Sequence, residues 1–164
     1  MSLSHRDVCT HIENEEDQEV LLTRAIKVNM RLLKTSPYYY SIISSICEYI
    51  KWSGETLKSG YTKPKGWSGP NAGFPLRIIY VPPYGIMINP KWIKNNGNGY
   101  ETVQSNCGSL IFKKSIKVTR EKNISVEYFT IDGRLHTIQN MGKENGGYTF
   151  QHEYHHIEGI LIGS

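Results

Sequence analysis

Tyr148-Thr149-Phe150-Gln151-His152-Glu153-Tyr154-His155-His156-Ile157-Glu158-Gly159-Ile160 is the stretch that decides the architecture. It follows Gly146-Gly147, contains no proline and meets Gly159 near its end, so Tyr148 to Ile160 reads as a last helix. Within it, His152-Glu153-Tyr154-His155-His156 has the form HExxH. Residues four apart share one face of a helix, so the imidazoles of His152 and His156 can reach one metal ion. Glu153 stands beside that face, where a carboxylate can serve as general base toward a water on the metal. His155 is adjacent to His156 and turned about 100° from it, which leaves His152 and His156 as the pair on one face.

Upstream of this helix the apolar pattern changes period. Ile124 to Ile131 and Leu135 to Gln139, separated by Asp132-Gly133, form the clearest hairpin signal in the chain. Leu76 to Val81, Gly85 to Ile88, Tyr100 to Ser105 and Ile116 to Thr119 are further extended runs, broken by Pro82-Pro83 and the turn cluster Asn95 to Gly99. Gly54 to Gly73 is rich in Gly, Ser, Lys and Pro, and is expected to be a long loop. Before it, residues 15 to 34 carry Val20, Leu21, Arg24, Ala25, Val28 and Leu32 at helical steps and predict one amphipathic helix. Ser36-Pro37 is a cap and first-turn pair for a second helix, whose face is Ile42, Ile43, Ile46 and Ile50 and whose stop is Gly54. The order predicts an α+β fold: N-terminal helices, a central antiparallel sheet and a C-terminal metal-binding helix.

The whole chain of 164 residues, 1–164, fits a single domain. Cys9, Cys47 and Cys107 are odd in number and widely spaced, as expected in a reducing, cytoplasmic setting rather than a disulfide framework. No run approaches the ~18 apolar residues of a membrane span, and the N-terminus turns acidic where a signal peptide would be apolar. The formal charge of +4 is spread over scattered lysines, so neither a membrane nor a nucleic-acid partner is expected.

A catalytic metal of this kind needs a third protein ligand and an open position. Cys107 is the attractive candidate, because a thiolate is a strong soft ligand and because Ser105-Asn106-Cys107-Gly108-Ser109 follows an extended run. An isolated cysteine is more often a buried, inert thiol, and the residue types leave both readings open.

Three stretches in order resemble the motifs of the peptide deformylase family. Gly66-Trp67-Ser68-Gly69-Pro70-Asn71-Ala72-Gly73 is similar to GxAAPQxG, Ser105 to Ser109 to EGCxS, and Gln151-His152-Glu153-Tyr154-His155-His156 to QHExDH. Phe74 to Ile79, Met87-Ile88-Asn89-Pro90 and Val126 to Gly133 resemble the family's surrounding sequence, so the likeness runs from about Gly66 to Ile162. It implies a peptide deformylase-like fold with Cys107, His152 and His156 as metal ligands. It also implies one divalent metal ion, iron(II) first, with zinc, nickel and cobalt able to occupy such a site. The reaction implied is removal of the formyl group from the N-terminal formylmethionine of nascent polypeptides, releasing formate. Glu153 would be the acid/base, the Gly108 N–H and the Asn71 amide the oxyanion donors, and Gly66, Asn106, Tyr148 and Thr149 the lining of the methionine pocket. The partners implied are N-formylmethionyl nascent peptides and the ribosome exit region, met by a monomer.

The chain departs from the family at several points. Asn71 replaces Gln and is one methylene shorter; Ser105, Asn106 and Gly108 replace the acid, glycine and apolar residue of the second motif; His155 replaces an Asp beside a ligand. Residues 54–65 look like an insertion, Lys113 or Lys114 lies near where the family often has a substrate-binding Arg, and the last residue lies eight beyond His156, as in compact, phage-encoded forms. Two rival readings remain on the sequence: an HExxH metallopeptidase with another third ligand, and a degenerate deformylase-like domain that binds metal, nascent chains or the ribosome without turnover.

Overall fold

The computed structural model describes residues 15–56, 66–93, 99–105 and 116–160. Its elements in chain order are α1 (Glu15–Leu22), α2 (Met30–Thr35), α3 (Pro37–Thr56), β1 (Trp67–Ser68), β2 (Ile78–Val81), β3 (Gly85–Ile93), β4 (Tyr100–Ser105), β5 (Ile116–Glu121), β6 (Ile124–Phe129), β7 (Leu135–Met141) and α4 (Gly147–Ile157). Every pairing between these strands is antiparallel, and a single parallel bridge joins Ile26 to Leu76 outside them. Five strands form one sheet in the order β1-β2-β3-β6-β7, while β4 and β5 pair with each other as a separate ladder. The mixed helix and antiparallel-sheet architecture expected from the sequence is therefore present. No helix among the described residues is long and apolar enough to cross a membrane.

The larger sheet is covered on both faces at β2, whose sequence Ile78-Ile79-Tyr80-Val81 is buried at all four positions. Side chains alternate across a strand, so Ile78 and Tyr80 join Ile43, Cys47 and Ile50 of α3, while Ile79 and Val81 join Phe150 and Ile157 of α4. Each fully buried Phe or Ile side chain contributes about 1.5–3 kcal/mol relative to exposure, so α4 is held on the sheet chiefly by Phe150 and Ile157. Leu135 pairs with Phe129 across the β6–β7 turn, with Gly133 at φ 80°, as the Asp132-Gly133 signal predicted.

The expected single helix over 15 to 34 is in fact two short helices separated by extended backbone. Ala25 N–H donates to the Ile157 carbonyl at 2.8 Å, Ile26 N–H to Pro75 and Arg77 N–H to Ile26, so residues 25 and 26 spend their backbone groups on α4 and on the chain before β2. Both backbone groups of Val28 are taken by the side-chain amide of Asn89, at 2.9 Å each. Leu21, Ala25 and Val28 are buried as their spacing suggested, but only Leu21 is on a helix, Ala25 and Val28 lying in the extended segment after it. Asn29 then caps α2 by accepting from Leu32 N–H.

In α3, Ser36 caps the first turn through Tyr39 N–H at 3.2 Å. Gly54 does not stop the helix, which runs on to Thr56, and Ile43, Cys47 and Ile50 form its buried face while Ile42 is exposed. The expected loop from Gly54 to Gly73 contains edge strand β1 and a 3₁₀ turn over Pro70–Ala72. Residues 57–65, most of the apparent insertion, lie outside the described residues.

Candidate active site

Helix α4 presents its apolar positions to the sheet, and β1 and the Pro70–Ala72 turn both pack against it. It ends at Ile157, with Gly159 N–H donating to His156 carbonyl at 3.1 Å and Ile160 N–H to His155 carbonyl at 2.9 Å. Gly159 has φ 74°, the left-handed conformation this paired cap requires. The last carbonyl also meets a cation: buried Arg77 donates from Nη1 to Ile157 carbonyl at 3.2 Å and from Nη2 to Glu158 Oε1 at 2.5 Å. Arg24 reaches the other Glu158 oxygen at 3.3 Å. The helix is thus anchored at the end that carries the histidines.

His152 and His156 approach through their Nε2 atoms, 3.2 Å apart, with ring planes at 80°. That separation is close to about 3.3 Å, the edge of a tetrahedron whose bonds to imidazole nitrogen are about 2.0–2.1 Å. Two nitrogens so placed can share one divalent ion, and the donor set suits such an ion. His155, next in the chain, turns away and lies 5.9 Å from the Trp92 ring centroid.

Glu153 is buried, and the backbone of Gly66 lies directly on it. A Cβ built at Gly66 would stand 2.9 Å from Glu153 Cγ, 3.0 Å from Oε1 and 2.5 Å from Thr149 Cγ2. No side chain larger than hydrogen fits there, so a carboxylate is held close against the main chain at the entrance to β1. Asn71 is fully buried in the turn that follows β1, with its N–H directed to Ser68 Oγ at 3.3 Å. Gly66, Thr149, Glu153, His152 and His156 are therefore gathered in one place, and the Asn71 turn packs on the same helix. Tyr148 behaves differently: its hydroxyl donates to Glu101 on β4, and its pKa is pushed up to about 12 by partial desolvation and by that carboxylate.

The electrostatics are set by burial and by one cation that sequence reading passed over. Burial pushes the His156 imidazole down to about 3, with the charges of His155 and Arg120 acting in the same direction. His155 is lowered too, by burial first and then by Arg120. Arg120 itself is buried and is drawn down by desolvation while the Glu153 charge supports its cationic form. A neutral His156 imidazole is in the protonation state a metal requires of a ligand. The signal for Arg120 was present in the sequence, since it follows Val118 at period two on a strand and so falls on the half-apolar face. Gln151, which precedes His152 in the third motif, is also buried and binds the backbone of β5.

Among the described residues, no group of three His, Cys, Asp or Glu gathers to hold a metal. Asn106, Cys107 and Gly108, expected to supply a pocket wall, the third ligand and an oxyanion donor in that order, lie outside the described residues, as do Lys113 and Lys114. β4 ends at Ser105, two residues before Cys107 in the chain.

The fold has counterparts among solved structures. A class I type b peptide deformylase from Acinetobacter baumannii is 21% identical, with 94% of this chain and 95% of that one aligned at a TM-score of 0.68. The peptide deformylase of the Vibrio parahaemolyticus bacteriophage VP16T, in complex with actinonin, is 20% identical over 94% and 99% of the two chains, with a TM-score of 0.67. Peptide deformylase from Thermotoga maritima is 24% identical over 87% and 88%, with a TM-score of 0.63. At these identities the likeness is one of fold. A search of curated proteins returns no significant match. The family model for polypeptide deformylase, however, matches residues 55–164, well over half the sequence, including Gly66, Asn71, Thr149, His152, Glu153 and His156, and the chain belongs to the polypeptide deformylase family.

Proposed function

We propose that this chain, as a single domain over 1–164, is a metal-dependent hydrolase that removes the N-formyl group from the N-terminal formylmethionine of nascent polypeptides. The observation that carries the reading is the 3.2 Å approach of His152 Nε2 and His156 Nε2 beside the buried carboxyl of Glu153, in a member of the polypeptide deformylase family. His152 and His156 would hold one divalent ion together with Cys107, with iron(II) the first choice and zinc, nickel or cobalt able to replace it. When bound, the ion supplies Lewis acidity toward the formyl oxygen and lowers the pKa of water at the open position.

Glu153 then has two tasks. Its carboxylate takes a proton from the attacking water and delivers it to the amine nitrogen as the C–N bond breaks, leaving formate and a free N-terminus. Gly66 fixes where that carboxylate stands, since it leaves Glu153 no room to withdraw toward β1. The negative oxygen that develops on the formyl carbon is met by the Asn71 side-chain amide and the Gly108 N–H. Asn71 is one methylene shorter than the family's Gln, and its burial in a tight turn supports it in the same role by removing side-chain freedom. Gly66, Asn106, Tyr148 and Thr149 line the pocket for the methionine side chain. The substrate is a formylated chain leaving the ribosome exit region in the cytoplasm, and the enzyme acts as a monomer.

The deciding test is formate release from formyl-Met-Ala-Ser by protein loaded anaerobically with iron(II) or nickel(II). Release that disappears in Glu153→Gln establishes the activity. Metal-loaded protein that releases none overturns it.

A further inference from the structure

The chain from Ser68 to Phe74 closes on itself through Gly69. The Gly69 carbonyl accepts from Ala72 N–H at 3.0 Å and from Phe74 N–H at 2.8 Å, while its own N–H donates to the Ile78 carbonyl on β2 at 2.8 Å. With φ at −53°, Gly69 has a backbone any residue could adopt, and what it lacks is room. A Cβ there would stand 2.6 Å from the Leu76 carbonyl oxygen and 2.8 Å from that of Phe74, both main-chain atoms that no side-chain rotation can withdraw. Gly73, at φ 86°, completes the turn by donating to the Pro70 carbonyl at 3.0 Å.

Asn71 stands in the middle of this turn. It is fully buried, and so is Ser68, whose Oγ accepts from Asn71 N–H at 3.3 Å. A serine hydroxyl bonded to the main chain three residues on fixes that peptide locally. The turn packs on α4, the helix that carries His152, Glu153 and His156. In the GxAAPQxG pattern that this stretch resembles, both positions before the proline are alanine and the position after it is glutamine, so Ser68, Gly69 and Asn71 are three differences in one buried turn. Alanine at 69 meets backbone, and alanine at 68 has no oxygen for Asn71 N–H.

We propose that Ser68 and Gly69 are positioning residues for the Asn71 side chain, and that the three act as one set: the turn closes further than alanine permits and so presents an amide one methylene shorter than glutamine. The inference rests on the reading of Asn71 as an oxyanion donor. Ser68 fixes the peptide from which the side chain starts, and Gly69 fixes how tightly the main chain on either side of it folds together.

The test measures formate release from formyl-Met-Ala-Ser by the full chain, with kcat and KM separated, and thermal melting of the same nickel(II)-loaded proteins at matched metal content. Gly69→Ala is expected to lower kcat about 10²-fold, the cost of a misplacement of about 1 Å, with a smaller change in KM. Asn71→Gln alone is expected to lower kcat about 10-fold, because the longer side chain overfills a closed, buried turn. The double variant Gly69→Ala/Asn71→Gln is expected to be about 10-fold faster than Gly69→Ala, since the added methylene spans the opened turn, while its melting temperature stays no higher than that of Gly69→Ala. Ser68→Ala, the milder change, covers the case in which Gly69→Ala does not fold: it is expected to lower kcat about 10-fold, and adding Asn71→Gln to restore part of the loss. Independent effects would make each double variant slower than either single one, and that result overturns the coupled set while leaving Asn71 as the donor. Recovery of kcat matched by recovery of melting temperature also overturns it, since folding alone would then explain the gain. Wild-type kcat in Asn71→Ala overturns the donor reading, and this inference falls with it.

Discussion

The main chain of Gly66 rests against the side chain of Glu153, with space between them for a hydrogen atom and nothing larger. A strand entrance and a helix interior more than eighty residues apart in sequence thereby define the position of one carboxylate. Gly66→Ala forces that carboxylate, or Thr149 beside it, to move. Displacing a proton-transfer group by about 1 Å can cost 10²-fold in rate, and formate release by Gly66→Ala is expected to fall by about that factor with metal content unchanged. Adding Thr149→Ala removes the 2.5 Å contact with Cγ2 and should recover part of the loss. Wild-type kcat in Gly66→Ala would show that Glu153 is not held there for catalysis.

Glu153→Gln keeps the shape of the side chain and removes its capacity to carry a proton. Proton transfer by a positioned group is worth about 10²–10⁴-fold, so turnover is expected to fall by at least the lower figure while metal analysis gives the wild-type stoichiometry. Turnover within a few-fold of wild type would exclude Glu153 as the acid/base.

Asn71 tests the oxyanion site. Asn71→Ala is expected to lower kcat by about 10²–10³-fold with a smaller change in KM, because the donor matters most when the oxygen carries charge. A change confined to KM would instead assign Asn71 to ground-state substrate binding.

His156 links folding to pH in the metal-free protein. Burial holds the folded imidazole near 3, whereas in the unfolded chain it takes a proton near ~6.5. Between those values the unfolded state binds the extra proton, so this contribution to stability is intact above about pH 6.5 and is lost progressively as pH falls toward about 3. The melting temperature of metal-free protein should decline through that window, and the decline should be shallower in His156→Gln. Parallel pH profiles for the two proteins would show that His156 is not the group responsible.

Much of this molecule was legible in its letters. The helix that ends at Ile157, its Gly159 cap, the turn at Asp132-Gly133 and the Ser36 cap are local devices, each specified by residues within a few positions of one another. The HExxH spacing likewise determined that two imidazoles and a carboxylate would share one stretch of helix, because 3.6 residues per turn leaves little choice. Where distant main-chain groups find partners was settled by the packing of the whole chain. The helical pattern over 15 to 34 was interrupted because Ala25, Ile26 and Val28 bond to Ile157, Pro75 and Asn89, none of them visible in a local window. The same holds for Gly66 against Glu153, Arg120 beside the histidines and Gln151 on Glu121. Periodicity encodes which face of an element is buried; it does not encode which residue of another element lies against that face, since that depends on how the whole sheet twists, registers and packs.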